Sequence, residues 1–374
     1  MAKKETIRTS FPILENWTYR GKMKAQILFD INNLQLQEID IPTLKPTEVL
    51  VKVHAAGICG SDIPRIYETG AHRHPLICGH EFSGEVVEVA SDVNSNWIGK
   101  KVGIFPLIPC NNCAPCKVKK YEMCKNYNYL GSRCDGGFAE YVAVPEWNLI
   151  ELPEQVTYEQ AAMLEPTAVA VHAFRGVDLP DKEAQICVCG LGTIGLLLTM
   201  ILKQAGYNNL LLIGNKDFQK ATVWKMGIDT SRYADGGRCD ITEWVMDKTN
   251  RHGIDVFFEC VGKKETLTQA IDLCAPAGQI KLVGNPHSDM SLDKNTYWKI
   301  LRNQLTIKGS WNSSFTKSED DDWHYVINLL QNDFIHPELL ITHRVNLGEL
   351  EKGLHIMKNK TEDYIKIMCN MQCG

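Results

Sequence analysis

The chain of 374 residues has no apolar run near the roughly 20 residues that cross a bilayer, because charges or glycine break its longest candidates. That excludes a transmembrane helix. It also lacks an excess of positive charge. The net charge is −5, so the basic footprint of a nucleic-acid binder is missing. It has no internal repeat and no low-complexity tract, which excludes a fibrous or mainly disordered chain. The opening stretch MAKKETIRTSFPILENWTYRGK has no apolar h-region and does not read as a signal peptide. Residues 1–22 read as an N-terminal extension to which the sequence gives no role.

What is present is ordinary in bulk and unusual in detail. Hydrophobic residues make up 44% and charged residues 23%, as in globular proteins. The length predicts two or three domains and a core that needs no covalent staples. There are 14 cysteines, and Cys110, Cys113, Cys116 and Cys124 fall within 15 positions while the rest are scattered. In a long chain without an export signal, that distribution points to a reducing cytoplasm and one local metal knot.

Along the chain the texture changes once. Up to residue 144, short runs rich in Val, Ile and aromatics predict strands at 25–29, 48–55, 81–89, 101–104 and 139–144. Closely spaced short strands suggest a partly closed barrel or sandwich. After residue 151 the pattern predicts a helix at 158–175, strands at 186–189, 210–214, 255–260 and 279–283, and helices after Gly192 and at 218–226. Strands alternating with helices indicate a parallel sheet. Beyond Gly309 the alternation ends, with helices at 322–331 and 347–358 and a last strand at 364–369. The acidic run at 319–322 reads as a solvated helix start.

Gly190-Leu191-Gly192-Thr193-Ile194-Gly195 follows the apolar run ICVC and opens an apolar helix. In that context a GxGxxG is a dinucleotide loop rather than an empty glycine-rich turn. Its glycines permit the tight turn, the approach of a pyrophosphate and close helix–strand packing, and the helix N-terminus offers free N–H groups. The next strand ends in Gly214-Asn215-Lys216, with Gly214 24 positions after Gly190. An acid there, about 20 residues on, would take a free ribose 2′-OH and repel a 2′-phosphate. Glycine leaves room, and Asn215 and Lys216 supply donors and charge. The sequence therefore favours NADP, with NAD as the alternative if Asp217 or a backbone group takes the ribose.

The four clustered cysteines offer the closed sulfur tetrahedron of a structural zinc, with an iron–sulfur cluster as the runner-up. An open metal site is spread more widely. Cys59 in Cys-Gly-Ser-Asp and His80 in Gly-His-Glu each sit in a glycine-flanked turn beside a strand. A catalytic zinc takes about three protein ligands and one exchangeable position. Glu81 or Glu165 offers the third; Glu165, before Pro166, also suits a helix start, where a carboxylate meets the macrodipole.

Together these residues resemble the zinc-dependent medium-chain dehydrogenases, and their polyol branch in particular. GICGSD, GHEFSGEVVEV, the four-cysteine lobe, DGGFAEY, EPTAVAVHAF and GLGTIG stand in the family's order over nearly all of the chain from Met23. CGSDIPRIYETGAHRHP, YNYLGSRCDGGFAEY and IKGSWNSS are the segments most like the polyol branch. The resemblance implies an α/β protein: a GroES-like β-rich catalytic domain at 23–170 with a structural zinc lobe at 110–124, a Rossmann doubly wound parallel sheet at 171–310, and a return to the catalytic domain at 311–374. It implies two zinc ions per chain. Cys59, His80 and Glu165 match the catalytic ligands, Glu81 is the alternate carboxylate, and Cys110, Cys113, Cys116 and Cys124 hold the structural ion. Ser61 matches the hydroxyl that begins a proton relay, and Asp62 sits beside the ligand loop.

The implied reaction moves a hydride between a secondary hydroxyl and NAD(P). The implied substrate is a sugar alcohol or a sugar-alcohol phosphate of the galactitol 1-phosphate kind, the implied assembly a homodimer or homotetramer, and the expected location cytoplasmic. The chain departs from the family in two places. The relay histidine of many alcohol dehydrogenases is replaced near Pro64, and Gly-Asn-Lys stands where NAD-linked polyol enzymes carry an acid. A phosphate on the substrate would need cations; Arg65, His72, Arg73, His74 and Arg133 lie in the relevant segments. The competing readings are a zinc-free quinone or enone reductase of the same superfamily, and a cofactor-binding sensor without turnover.

Overall fold

The computed structural model describes residues 20–179, 181–286 and 288–371. The extension at 1–22 lies outside them except for its last three residues. Two sheets organise the chain. The first runs in the order Leu149–Glu151, Lys101–Ile104, Glu81–Val89, Glu48–Ile58, Lys366–Asn370, Ile341–Asn346, with Tyr141–Pro145 also paired to Glu48–Ile58. Glu48–Ile58 lies at its centre. Its sequence EVLVKVHAAGI is buried along nearly its whole length, with both edges paired and its side chains packed in two cores on opposite faces. The last 30 residues of the described chain therefore complete a sheet that the first 60 began. A smaller sheet of Asn33–Asp40, Lys22–Asp30 and Leu76–Ile77 covers one end.

The second sheet has six strands in the order Tyr233–Asp235, Leu210–Gly214, Ile186–Cys189, Ile254–Glu259, Cys274–Leu282, Thr306–Gly309, all parallel. Chain order reverses at Ile186–Cys189, so a crevice opens beyond the carboxyl ends of that strand and its neighbours. Gly190 is the first residue past that end. This is the expected doubly wound sheet beside a β-rich unit.

Three local expectations change. The helix foreseen at 158–175 is two, Tyr158–Ala162 and Leu164–Arg175, broken at Met163. Pro166 has no N–H to give an upstream turn, so it sits in the first turn of a new helix. That second helix runs across the domain boundary expected at 170/171. The acidic run at 319–322 does start a helix, Asp322–Gln331, but Asp321 and Asp322 are buried rather than solvated. Asp321 caps the helix through the His324 N–H. Asp322 accepts from the Ser314 N–H, pairs with His172 at 2.8 Å and with Arg175 at 3.2 Å, and so ties the returning chain to Leu164–Arg175. Strand Asn33–Asp40 was not foreseen, because NLQLQEID is polar and half exposed at a sheet edge.

An aromatic cluster locks the return. Phe315 lies 4.8 Å from Phe105 and 5.3 Å from Trp147, centroid to centroid, and Trp323 meets Phe105 edge-on at 5.5 Å. The Trp323 indole N–H donates to Ser313 Oγ at 3.0 Å. Among the described residues, no helix is long and apolar enough to cross a membrane. Trp323 is fully buried, so Trp323→Ala should cost about 3–5 kcal/mol. Trp224→Ala, on a side chain 67% exposed, should stay within about 0.5 kcal/mol. Urea denaturation of the two variants checks the contrast.

Candidate active site and metal centres

Strand register builds the open site. Glu48–Ile58 and Glu81–Val89 run antiparallel with Gly57 opposite Glu81, which brings the turn carrying Cys59 against His80. The close approach needs glycine, since a Cβ on Gly57 would stand 2.2 Å from Glu81 Oε2. On the other edge, Ile58 faces Ile367, so Lys366 arrives beside the same turn. One ligand atom each from Cys59, His80 and Glu81 falls within 4.8 Å of the others. Glu165 is not in that set. It lies in the first turn of Leu164–Arg175, buried, and accepts from the Tyr129 hydroxyl at 3.1 Å.

Asp62 braces the ring from behind. It is fully buried, accepts the Cys59 N–H at 3.0 Å, pairs with Arg65 at 2.5 Å and stands 3.6 Å from His80 Nδ1. That last gap is too long for a hydrogen bond. His80 Nδ1 is accordingly buried without a hydrogen-bond partner. Burial alone would lower the imidazole pKa, but Asp62 and the Cys59 thiol outweigh it and raise it. Burial lifts Glu165 to about 7, with Glu81 adding to the rise. Burial and Glu165 raise the Tyr129 phenol, which stays a neutral donor. Lys366 Nζ donates to Glu81 Oε2 at 2.5 Å and to the Ile58 carbonyl at 3.2 Å, and both charged groups are buried. A soft thiolate, an imidazole with a spare ring nitrogen and two nearby carboxylates make a donor set that fits zinc. The Ser61 hydroxyl, at the start of helix Asp62–Tyr67, makes no capping bond and remains half-buried.

The four-cysteine lobe is compact as well. The sulfurs of Cys110, Cys113, Cys116 and Cys124 all lie within 4.8 Å of one another, with Cys113 at 3.4 Å from Cys116 and 3.8 Å from Cys124. A tetrahedral ion with bonds of about 2.3 Å sets its sulfurs about 3.8 Å apart, so this lobe also fits zinc. The Lys125 and Cys116 backbone N–H groups pull the Cys113 thiol down to about 6, towards the thiolate a metal needs.

At the crevice, Gly190 has φ +97°, a left-handed turn that favours glycine. Nothing lies within 4 Å of where a Gly192 Cβ would stand, which leaves an open cradle at the N-terminus of helix Thr193–Gln204. A Cβ on Gly195 would meet the Gly190 carbonyl at 2.0 Å, so helix and strand touch there. Thr193 Oγ donates across to the Ile365 carbonyl at 2.7 Å, one residue before Lys366. Ile194 packs half-buried on the main core. Gly214 has a packing role beyond the one foreseen: a Cβ would meet Gln219 Oε1 at 2.5 Å and the Tyr233 ring at 2.8 Å. Asn215 and Lys216 point into solvent, while Asp217 is taken by Arg238 at 2.8 Å.

Known sequences decide the family. Residues 45–154 match the sequence model described as "Alcohol dehydrogenase GroES-like domain", and residues 193–332 match "Zinc-binding dehydrogenase". The chain belongs to the zinc-binding dehydrogenase family. It is 33% identical over 312 residues to the galactitol 1-phosphate 5-dehydrogenase of Escherichia coli K12, covering 83% of this chain and 89% of that one. It is 32% identical over 330 residues to the L-threonine 3-dehydrogenase of Pyrococcus abyssi, covering 87% and 92%. Two solved structures superimpose over 94% of this chain and 99% of their own. They are a zinc-binding dehydrogenase of Sinorhizobium meliloti 1021 bound to NADP (26% identity, TM-score 0.85) and an alcohol dehydrogenase of E. coli CFT073 with NADH (28%, TM-score 0.84).

In this dehydrogenase, the sequence reading missed Tyr129 and Lys366. Tyr129 stood in a segment already singled out, but nothing marked its hydroxyl as the partner of Glu165. Lys366 lies 285 positions from Glu81 and carries no local signal. In metal-free protein, Lys366→Met leaves the Glu81 carboxylate buried and unpaired. That should cost about 3–5 kcal/mol. Adding Glu81→Gln should recover most of the loss, measured by urea denaturation; equal stability of the single variant and wild type would contradict the pairing.

Proposed function

We propose that this dehydrogenase exchanges a hydride between a secondary hydroxyl of a sugar alcohol or sugar-alcohol phosphate and a nicotinamide dinucleotide, with NADP favoured over NAD. The observation that carries the reading is the convergence of Cys59, His80 and Glu81, a donor set suited to an open zinc site, in a chain that also holds a dinucleotide loop. The similarity to a galactitol 1-phosphate dehydrogenase supports the substrate class; the similarity to a threonine dehydrogenase shows why the class needs testing.

Cys59, His80 and one carboxylate would hold the catalytic zinc. Lys366 engages Glu81, whereas Glu165 is held by a neutral hydroxyl and is freer to turn, which favours Glu165 as ligand and Glu81 as alternate. Bound zinc supplies Lewis acidity at the substrate hydroxyl, and the dinucleotide supplies the hydride acceptor. The residues do the rest. Asp62 fixes the Cys59 backbone and faces His80. Ser61, with no capping bond to break, takes the hydroxyl proton towards solvent. Gly190, Gly192 and Gly195 shape the pyrophosphate cradle, and Thr193 keeps it against the Ile365 carbonyl. Cys110, Cys113, Cys116 and Cys124 would hold the second, structural zinc. The assigned domains are 23–170, 171–310 and 311–374, the first boundary falling within helix Leu164–Arg175.

NADP is favoured because Gly214 puts no carboxylate at the ribose, Asp217 is already paired with Arg238, and Lys216 is exposed with no ion pair among the described residues. A homodimer or homotetramer would cover the outer edge of Thr306–Gly309, where Ile307 is exposed, as are Trp311 just after it and Trp298 and Leu301 on the helix before it. The free state of every described cysteine suits a cytoplasmic setting.

Two measurements test the reading. Metal analysis should find two zinc ions per wild-type chain and one in Cys124→Ser and in Glu165→Ala. Glu165→Ala should also lose turnover by at least about 100-fold, the upper range for a group that merely supports a ligand; full zinc and unchanged turnover would remove Glu165 from the site. Initial rates with a panel of ketoses and ketose phosphates should show kcat/KM for NADPH about tenfold or more above NADH, the worth of one charge-assisted hydrogen bond. Lys216→Ala should erase most of that margin, and saturation by NADH at far lower concentration would reverse the cofactor assignment.

A further inference from the structure

The sequence offered five basic side chains as phosphate contacts, and the structure sorts them. Arg65 is bound to buried Asp62, and Arg73 to Asp135 at 2.6 Å. His74 Nε2 accepts the Ala71 N–H at 3.2 Å within its own loop. Arg133 is different. Among the described residues, no carboxylate lies within ion-pair distance of it, and its Nε is buried without a hydrogen-bond partner. Asp135, two residues on, is engaged by Arg73 and the Ile77 N–H, Asp62 by Arg65 and Cys59, and Glu165 by Tyr129.

The turn that carries Arg133 belongs to the site. Ser132, Arg133 and Cys134 donate their N–H groups back to the Tyr129 carbonyl. Gly131 presses on the His80 turn so closely that a Cβ would stand 2.2 Å from the Gly79 carbonyl and 2.8 Å from His80 N. Tyr129 reaches Glu165 and turns its ring edge-on to His80 at 5.8 Å. Tyr127 packs on Tyr129 at 6.0 Å, and the Arg133 guanidinium lies over the Tyr127 ring at 4.3 Å. Stacking fixes the plane of a guanidinium and leaves its fork of N–H donors to meet an anion edge-on. The Arg73–Asp135 pair docks the loop holding His72 onto the same turn. Burial lowers the His72 pKa, and the charges of Arg133 and Arg65 lower it further, as cations close by would.

We propose that Arg133, stacked on Tyr127, binds the phosphomonoester end of the substrate and sets the preference for a phosphorylated over a free sugar alcohol. This rests on the polyol reading above and deepens it. A buried, unpaired donor costs free energy unless a ligand completes it. A phosphate is the acceptor that a planar, pre-oriented guanidinium fits in two-pronged fashion.

The test uses the zinc-loaded full chain as wild type, Arg133→Gln and Arg133→Lys. Steady-state rates are measured with galactitol 1-phosphate and with galactitol at saturating dinucleotide. Calorimetry follows the binding of galactitol 1-phosphate and of inorganic phosphate. Expected is a fall of about 10–100-fold in the ratio of kcat/KM for the phosphate over the free polyol in Arg133→Gln, carried by KM rather than kcat. Arg133→Lys, which keeps the charge and loses the fork, should fall between. Phosphate binding should weaken in step. Parallel loss on both substrates would make Arg133 structural and overturn the proposal. A rise in dinucleotide KM alone would move the phosphate to the cofactor and also overturn it. A wild type that oxidises galactitol as well as its phosphate would sink the Arg133 role and leave the polyol reading standing. If wild type oxidises neither, the polyol reading fails, and calorimetry still decides: binding of galactitol 1-phosphate lost in Arg133→Gln supports the anchor, and unchanged binding refutes it.

Discussion

The site depends on the register of three strands. Gly57 lies opposite Glu81 on one edge of Glu48–Ile58, and Ile58 lies opposite Ile367 on the other. Side chains alternate along a strand, so a slip of one residue would turn Glu81 or Lys366 to the wrong face. Buried apolar residues along the central strand specify the register far more strongly than the polar ligands could. The cluster of Cys59, His80 and Glu81 is therefore held by the packing of Val49, Val51 and Val53, none of which belongs to it.

Within that frame, charge is balanced rather than abundant. A thiol, an imidazole and two carboxylates crowd a space from which water is largely excluded. Lys366 pairs with Glu81, and Arg65 pairs with Asp62. A buried ion pair is weak evidence for stability, since desolvation offsets much of the attraction. Its better use is directional. Lys366 fixes which way Glu81 faces, and Arg65 holds the carboxylate that orients the Cys59 backbone. Arg133 stands outside this balance, which is why it draws notice.

Much of this was readable from the chain, and the reasons are local. The strands Glu81–Val89, Lys101–Ile104, Ile186–Cys189 and Leu210–Gly214 fall on the bounds expected from apolar runs and glycine punctuation. The dinucleotide loop and the cysteine lobe are written in consecutive residues, and so was the pairing of Cys59 with His80 once the family was seen. What stayed hidden depends on distant pairing or on environment. Strand Thr306–Gly309 is exposed at every residue, so it has no burial pattern to read. The break at Met163 follows from Pro166 starting a helix where a continuous apolar pattern suggested one long element. The depth of Asp321 and Asp322 comes from Arg175, His172 and backbone donors elsewhere in the chain, and a run of acids looks solvated without them.

The returning strand has a consequence for how the protein is made. The parallel sheet is complete once Gly309 has been synthesised, so that unit can form while translation continues. The other sheet must wait for Lys366–Asn370. Until those residues leave the ribosome, the Ala55–Ile58 end of the central strand has one open edge and Glu81 has no ammonium partner. The half that carries Cys59 and His80 is begun first and finished last, so its sheet closes only after the parallel sheet can have formed.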